Sequence, residues 1–340
     1  MVRFVACAVT ATLLASCAPV ASVDSETGIG AAPTGTLFVA NKFGNTVSQV
    51  DLASGEEVRR VPACENPHEL ATSPDGRHVA LACYGGTSLS LFRASDLAPV
   101  GTIDLGENAR PHGIVWHANG DLYATAEGRR SVFWIRDPLS NAEAFEYGTG
   151  KDGSHMLAVS PNGNTAWTTD LGSKTVTRVD LKTRRAPLSV EVGIEPEGIA
   201  LSPDGTTLWV SARGSDKAFA LDPSTMEVRS EVATGDFPLR LAIRPQGDVA
   251  VTSDLADGAL TVIDLASGQT LRTIAVSSRA EAQERFQVTI LWSPDGERIY
   301  VAETGTDTVA EVDFASGRVL RRIAVGDGGD GLAIVSRSGE

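Results

Sequence analysis

Residues 288–309 read VTILWSPDGERIYVAETGTDTV. A short apolar run, VTILW, leads into the turn SPDG, and a second β-rich run, RIYVAE, leaves it. Two such runs around an Asp-Gly or Asn-Gly turn make a strong short-range hairpin signal. The polar stretch TGTDT then separates this hairpin from a third apolar run that begins at Val309.

The same pattern recurs upstream as HELATSPDG (68–76), HGIVWHANG (112–120), HMLAVSPNG (155–163), EGIALSPDG (197–205) and LRLAIRPQG (239–247). The turn glycines Gly76, Gly120, Gly163, Gly205, Gly247 and Gly296 are spaced by 44, 43, 42, 42 and 49 residues. That is the period of a four-stranded propeller blade. After each turn come a second strand (VALAC, LYATA, TAWTT, LWVSA, VAVTS, IYVAE), a polar loop, a third strand such as TVIDLASG (261–268) and a last strand such as LRTIAV. The ends complete the count. Thr36 begins at a second strand, whereas GLAIV from Gly331 is an inner strand with nothing after it. Pairing them closes a seventh blade and leaves no open sheet edge. The expected fold is all-β: a seven-bladed β-propeller of four-stranded antiparallel blades, with N- and C-terminal strands sharing the last blade.

SPDG (73–76, 202–205, 293–296), IYVAETGTDTV (299–309), TVIDLASG (261–268) and PEGIAL (196–201) resemble the YVTN-type propeller repeat of surface-layer and periplasmic proteins. The resemblance covers nearly all of the chain after the first 35 residues. It implies architecture and export more than any one activity, because propellers host many functions. The Gly-His and Trp-Asp pair of WD repeats is absent.

Aligned on their turns, the repeats share one position at the start of each inner strand, seven residues before the turn Asp, Asn or Gln. It is His68, His112, His155, Glu197, Leu239 and Val288, with Asp330 in the closing blade. Three of the chain's five histidines fall here; His78 and His117 belong near the turn face. Neutral imidazoles beside carboxylates suit one divalent metal ion, so His68, His112, His155, Glu197 and Asp330 are the candidate ligands. Strand-start histidines that merely bond neighbouring loops are the competing reading. A second ring of strand ends, Asn41, Cys83, Glu127, Asp170, Arg213, Asp254 and Glu303, is expected to surround the first and hold ligand. Arg240, Arg213 and Lys42 are read first as solvated loop charges, with binding of an anionic group as the alternative.

At the N-terminus, Met1-Val2-Arg3 and the apolar run to Leu14 suit a secretory signal. Leu14-Ala15-Ser16-Cys17 resembles the bacterial lipobox, which implies lipidation of Cys17; Ala18 after it favours the outer membrane. The expected organisation is a signal over 1–17, a flexible tether over 18–35 and the propeller over 36–340, lipid-anchored on the periplasmic face of the envelope. Without Arg3 the net charge falls from −14 to −15, which argues against nucleic acid as partner. Polar blade surfaces fit a monomer.

Cys64 and Cys83 remain in the domain. In an oxidising compartment they are expected to pair and fasten the loop before His68, with thiol ligation of a metal as the alternative. The longer sixth repeat places Ser277–Phe286, rich in Ala, Glu and Arg, as a short helical flap or an inert insertion. Gly326–Gly331 matches G-x-G-x-x-G but precedes a strand, so no dinucleotide site is read there. Three functions follow. One is an envelope protein that binds a metal, small ligand or protein partner at the channel mouth. The second is a metal-assisted enzyme similar to propeller lactonases and streptogramin lyases, with Glu197 or Asp330 as base. The third is a non-catalytic scaffold of an envelope complex.

Overall fold

The computed structural model describes residues 34–336. The segment 1–17 expected to be a signal, with Cys17, and residues 18–33 of the expected tether lie outside the described residues. The strands form seven four-stranded antiparallel sheets. Six are built from consecutive strands, beginning at the inner strands Pro67–Thr72, Pro111–Trp116, Ser154–Val159, Pro196–Leu201, Pro238–Ile243 and Gln287–Trp292 (blades one to six). Blade seven pairs the C-terminal strand Gly329–Ser336 with Gly35–Asn41 and the two strands that follow it. Each inner strand packs beside the next, and the last packs beside the first, so the ring is closed.

The second strand of each blade is apolar throughout because both of its faces are covered. In Leu208–Ala212, Leu208, Val210 and Ala212 face blade three, whereas Trp209 faces blade five. Among the described residues, seven apolar clusters lie one between each pair of neighbouring blades, and an eighth, smaller one of Leu239, Leu255 and Val288 lies at the mouth.

The SPDG signature has a local cause. Asp75 accepts from Ser73 Oγ (2.6 Å) and from the Arg77 amide (3.0 Å), while Ser73 Oγ accepts from the His78 amide (2.9 Å). Gly76 supplies the left-handed residue at φ +68°. On this turn face, His117 Nε2 lies 3.1 Å from the Ser160 carbonyl, away from the other end of the channel.

Two features of every blade shape the opposite, loop face. First, the register between inner and second strand slips at the same place, for example between Pro67 and Leu70 and between Pro196 and Ile199. Such bulges re-aim side chains. Second, the residue before each inner strand is left-handed: Asn66, Arg110, Gly153, Glu195, Phe237, Phe286 and Gly328.

The extended sixth repeat forms one α-helix, α1 (Arg279–Arg285), as the flap reading expected. Ser278 caps it in a reciprocal box with Glu281. Arg279 ties it to Asp236 and Asp257 of blade five. Among the described residues, no helix is long and apolar enough to cross a membrane.

Candidate functional site at the channel mouth

At each bulge two residues of the inner strand oppose one of the second strand, and the first of the two faces the channel mouth. The first positions hold Asp330, His68, His112, His155, Glu197, Leu239 and Val288; the second hold Gly331, Glu69, Gly113, Met156, Gly198, Arg240 and Thr289. Glycine is required where inner strands nearly touch. A Cβ on Gly331 would lie 2.0 Å from the His68 carbonyl oxygen.

The three histidines lie side by side in a row, their rings tilted by 42° and 31°. Ring centroids are 4.4 Å apart from His68 to His112 and 3.6 Å from His112 to His155. Tyr84 meets the first two edge-on, at 5.0 and 5.4 Å. Its hydroxyl donates to Glu127 (2.8 Å), and Arg110 lies over its ring at 4.5 Å.

The outer histidines are held by carboxylates. His68 Nδ1 is 3.1 Å from Asp330, which also accepts from Lys42 Nζ at 3.0 Å. His155 contacts Glu127 through Nδ1 and lies 3.4 Å from Glu197 through Nε2. Glu197 in turn meets Arg213 at 2.6 Å and Arg240. Arg240 crosses the channel to Glu69 of blade one, 2.8 Å away. His112 has no such anchor: its Nδ1 is buried without a hydrogen-bond partner.

Burial and these partners set the protonation states. Burial, against the pull of Asp330, lowers His68 to about 4. Burial, reinforced by the neighbouring imidazoles, takes His112 well below its usual value. Both rings are therefore neutral at pH 7, the state in which imidazole ligates metal. Burial also opposes charge on His155, but its bonds to Glu127 and Glu197 outweigh that and raise it. Burial alone would raise Glu197; Arg240, His155 and Arg213 overcome it and hold the carboxyl at about 2. Asp330 is lowered despite its burial because His68 and Lys42 face it. Glu69 is raised by burial, which its pairing with Arg240 does not cancel.

Among the described residues, two groups of side chains are spaced as metal ligands, with ligand atoms all within 4.8 Å of one another: His68, Glu69 and His112, and His112, Glu127 and His155. His112 belongs to both. The histidines expected from the repeat alignment are thus brought together, whereas the carboxylates in the two groups are Glu69 and Glu127 rather than Glu197 and Asp330. Glu69 was not singled out in the sequence. Its signal was a charged residue at the second bulge position, otherwise occupied mostly by Gly, Met or Thr and matched only by Arg240 across the ring.

The second ring divides. Glu127 and Arg213 reach the mouth. Asn41, Asp170, Asp254 and Glu303 are buried inside their blades and do not line the cavity. Asn41 donates to Thr46 and Ser48. Asp170 accepts from Ser154, Thr168, Thr175 and Thr177, and Glu303 accepts from Thr308 and Arg322. Their short polar partners hold them in the sheet. Cys83 ends its strand in a disulfide to Cys64, with Cα atoms 5.7 Å apart. The bond ties the loop before His68 to the strand end next to Tyr84 and removes the thiols as ligands.

The mouth opens into a cavity of about 420 Å³ with two unlike walls. Lys42, the three histidines, Glu197, Arg213, Arg240 and Asp330 make the polar wall; Phe237, Leu239, Leu255, Ala256, Phe286 and Val288 make the apolar one.

Comparison with solved structures supports the architecture. The chain is similar to hydrazine synthase from Kuenenia stuttgartiensis (TM-score 0.68, 16% identity, 81% of this chain and 96% of that one). It is also similar to virginiamycin B lyase from Staphylococcus aureus (TM-score 0.64, 15%, 80% and 92%). A third likeness is to dihydro-heme d1 dehydrogenase (TM-score 0.61, 17%, 90% and 67%). At such identities the shared property is the fold. No family model and no curated protein sequence matches the chain.

Proposed function

We propose that the protein is an exported, envelope-anchored propeller of the YVTN type that binds one divalent transition-metal ion at its channel mouth, with His112 as the shared ligand. The observation that carries this reading is the His112 imidazole. It is neutral, buried, without a partner on Nδ1, and common to both ligand groups. Nitrogen and carboxylate donors together suit zinc, iron or copper. Carboxylates on His68 and His155 orient those rings, as outer partners of metal-ligating histidines commonly do. Export and lipidation rest on Leu14-Ala15-Ser16-Cys17, and with Ala18 they favour tethering to the outer membrane on its periplasmic side; polar blade surfaces fit a monomer. A small ligand or an envelope protein would then approach over the loop face.

Zinc titration of the soluble chain beginning after Cys17 tests the reading calorimetrically. One ion per chain is expected, with at least a ten-fold loss of affinity in His112→Ala. Identical weak uptake by both proteins would refute it.

A second reading, metal-assisted lactone or ester cleavage, is favoured by one observation. His155 lies between Glu127 and Glu197 at the edge of the cavity, where a proton can be taken up or delivered. The lyase among the similar folds is consistent with this. Turnover of a lactone, abolished in Glu197→Gln with zinc still bound, would establish it. A non-catalytic scaffold would show neither turnover nor ion uptake.

A further inference from the structure

The seven left-handed residues that precede the inner strands ring the mouth. Five are Gly, Asn, Arg or Glu; two, on consecutive blades, are Phe237 (φ +61°) and Phe286 (φ +50°). A bulky aromatic side chain is disfavoured there, so its presence at two adjacent rim positions calls for a role. Phe237 packs on a small apolar cluster of Leu239, Leu255 and Val288. Phe286 is the C-cap of α1, and 42% of its surface remains exposed. The helix is locked at the rim: Arg285 O accepts from the Gly305 amide at 2.9 Å, and Arg279 bridges to Asp236, next to Phe237.

Blades five and six therefore answer the histidine wall with an apolar one. The cations on the polar side are already paired: Lys42 with Asp330, Arg213 with Glu195 and Glu197, Arg240 with Glu69 and Glu197. The carboxylates facing these three cations balance their charge, so the wall presents no excess positive charge to a free anion. The cavity volume lies in the range of small-molecule sites.

We infer that the mouth takes an uncharged small molecule with a flat apolar body, seated between Phe237 and Phe286, whose oxygen or nitrogen donor end points at the histidines. The orientation of the donor end rests on the metal reading; the seat for the apolar body does not. The insertion that forms α1 is then the specificity element, because it supplies Phe286.

The probe is prodan, an uncharged naphthyl ketone whose emission moves to shorter wavelength in apolar surroundings. It is titrated into the full chain with chelator and, separately, with zinc. Saturable one-to-one binding with a blue shift is expected in both arms. Binding should weaken at least ten-fold in a Phe237→Gly/Phe286→Gly double variant and stay unchanged in Leu271→Ala, an exposed leucine on the outer edge of blade five. Glycine suits both backbone positions, so thermal melting should show the double variant folded. Its zinc affinity should match that of the parent, which separates this seat from the metal reading. No saturable signal, or equal affinity in the double variant, would overturn the inference.

Discussion

Arg240 of blade five and Glu69 of blade one meet across the channel, 2.8 Å apart and both buried. The same guanidinium also reaches Glu197 of blade four. One cation thus holds two buried carboxylates from different sectors of the ring and closes the polar wall beneath the histidines. Burial is outweighed by Glu69 and Glu197, and the Arg240 guanidinium is raised above its usual value.

Removing one member of such a group leaves uncompensated charge. Arg240→Met should cost about 3–5 kcal/mol of folding stability, read by urea denaturation. Glu69→Gln added to it should recover part of that loss, because it removes one of the two stranded carboxylates. Additive losses would show that the pair does not interact.

The Cys64–Cys83 bond closes a short loop, with 19 residues of sequence separation. Replacing both with Ser should lower stability by about 3 kcal/mol. Because Tyr84 and His68 follow the two cysteines closely, the variant should also bind zinc less tightly than the parent. A stable variant with parent zinc affinity would show that the loop is held without the disulfide.

Asp254 gives a pH signature away from the mouth. Burial pushes its carboxyl up to about 6, against hydrogen bonds from Thr261 and Thr252. The folded chain then holds a proton that the unfolded chain releases near pH 4. This group's stabilising contribution is therefore complete below pH 4 and is lost as pH rises through 6. Relative to Asp254→Asn, the parent should lose roughly 3 kcal/mol between pH 4 and pH 8. A constant difference across that range would mean an unshifted carboxyl.

The fold was legible because its signals are local and repeated. SPDG turns, strands apolar on both faces and a split final blade each have a sequence cause, and the helix in Ser277–Phe286 follows from composition and spacing. The histidine row was legible for the same reason, since equivalent repeat positions occupy one level of the channel. What alignment on turns missed lies at the bulge. In blades one and five it brings a second, charged residue to the site, so Glu69 joins it and Arg240 serves as a strut between carboxylates. The second ring was misjudged in part because Glu127 and Arg213 lie one residue past their strand ends, whereas the others are the strand ends themselves. Asp170 and Glu303 turn into their own blades, where Thr175, Thr177 and Thr308 receive them. Pairing distant charges such as Glu69 and Arg240, 171 residues apart, needs the closed ring and not the pattern along the chain.

The most direct test of the central claim is metal content by mass spectrometry of the soluble chain, purified without a histidine tag and compared with a His68→Ala/His112→Ala/His155→Ala variant shown by circular dichroism to be folded. The account predicts close to one ion of zinc, iron or copper per parent chain and almost none in the variant. Equal, negligible metal in both after reconstitution would contradict it and leave the row of histidines a structural feature of the channel.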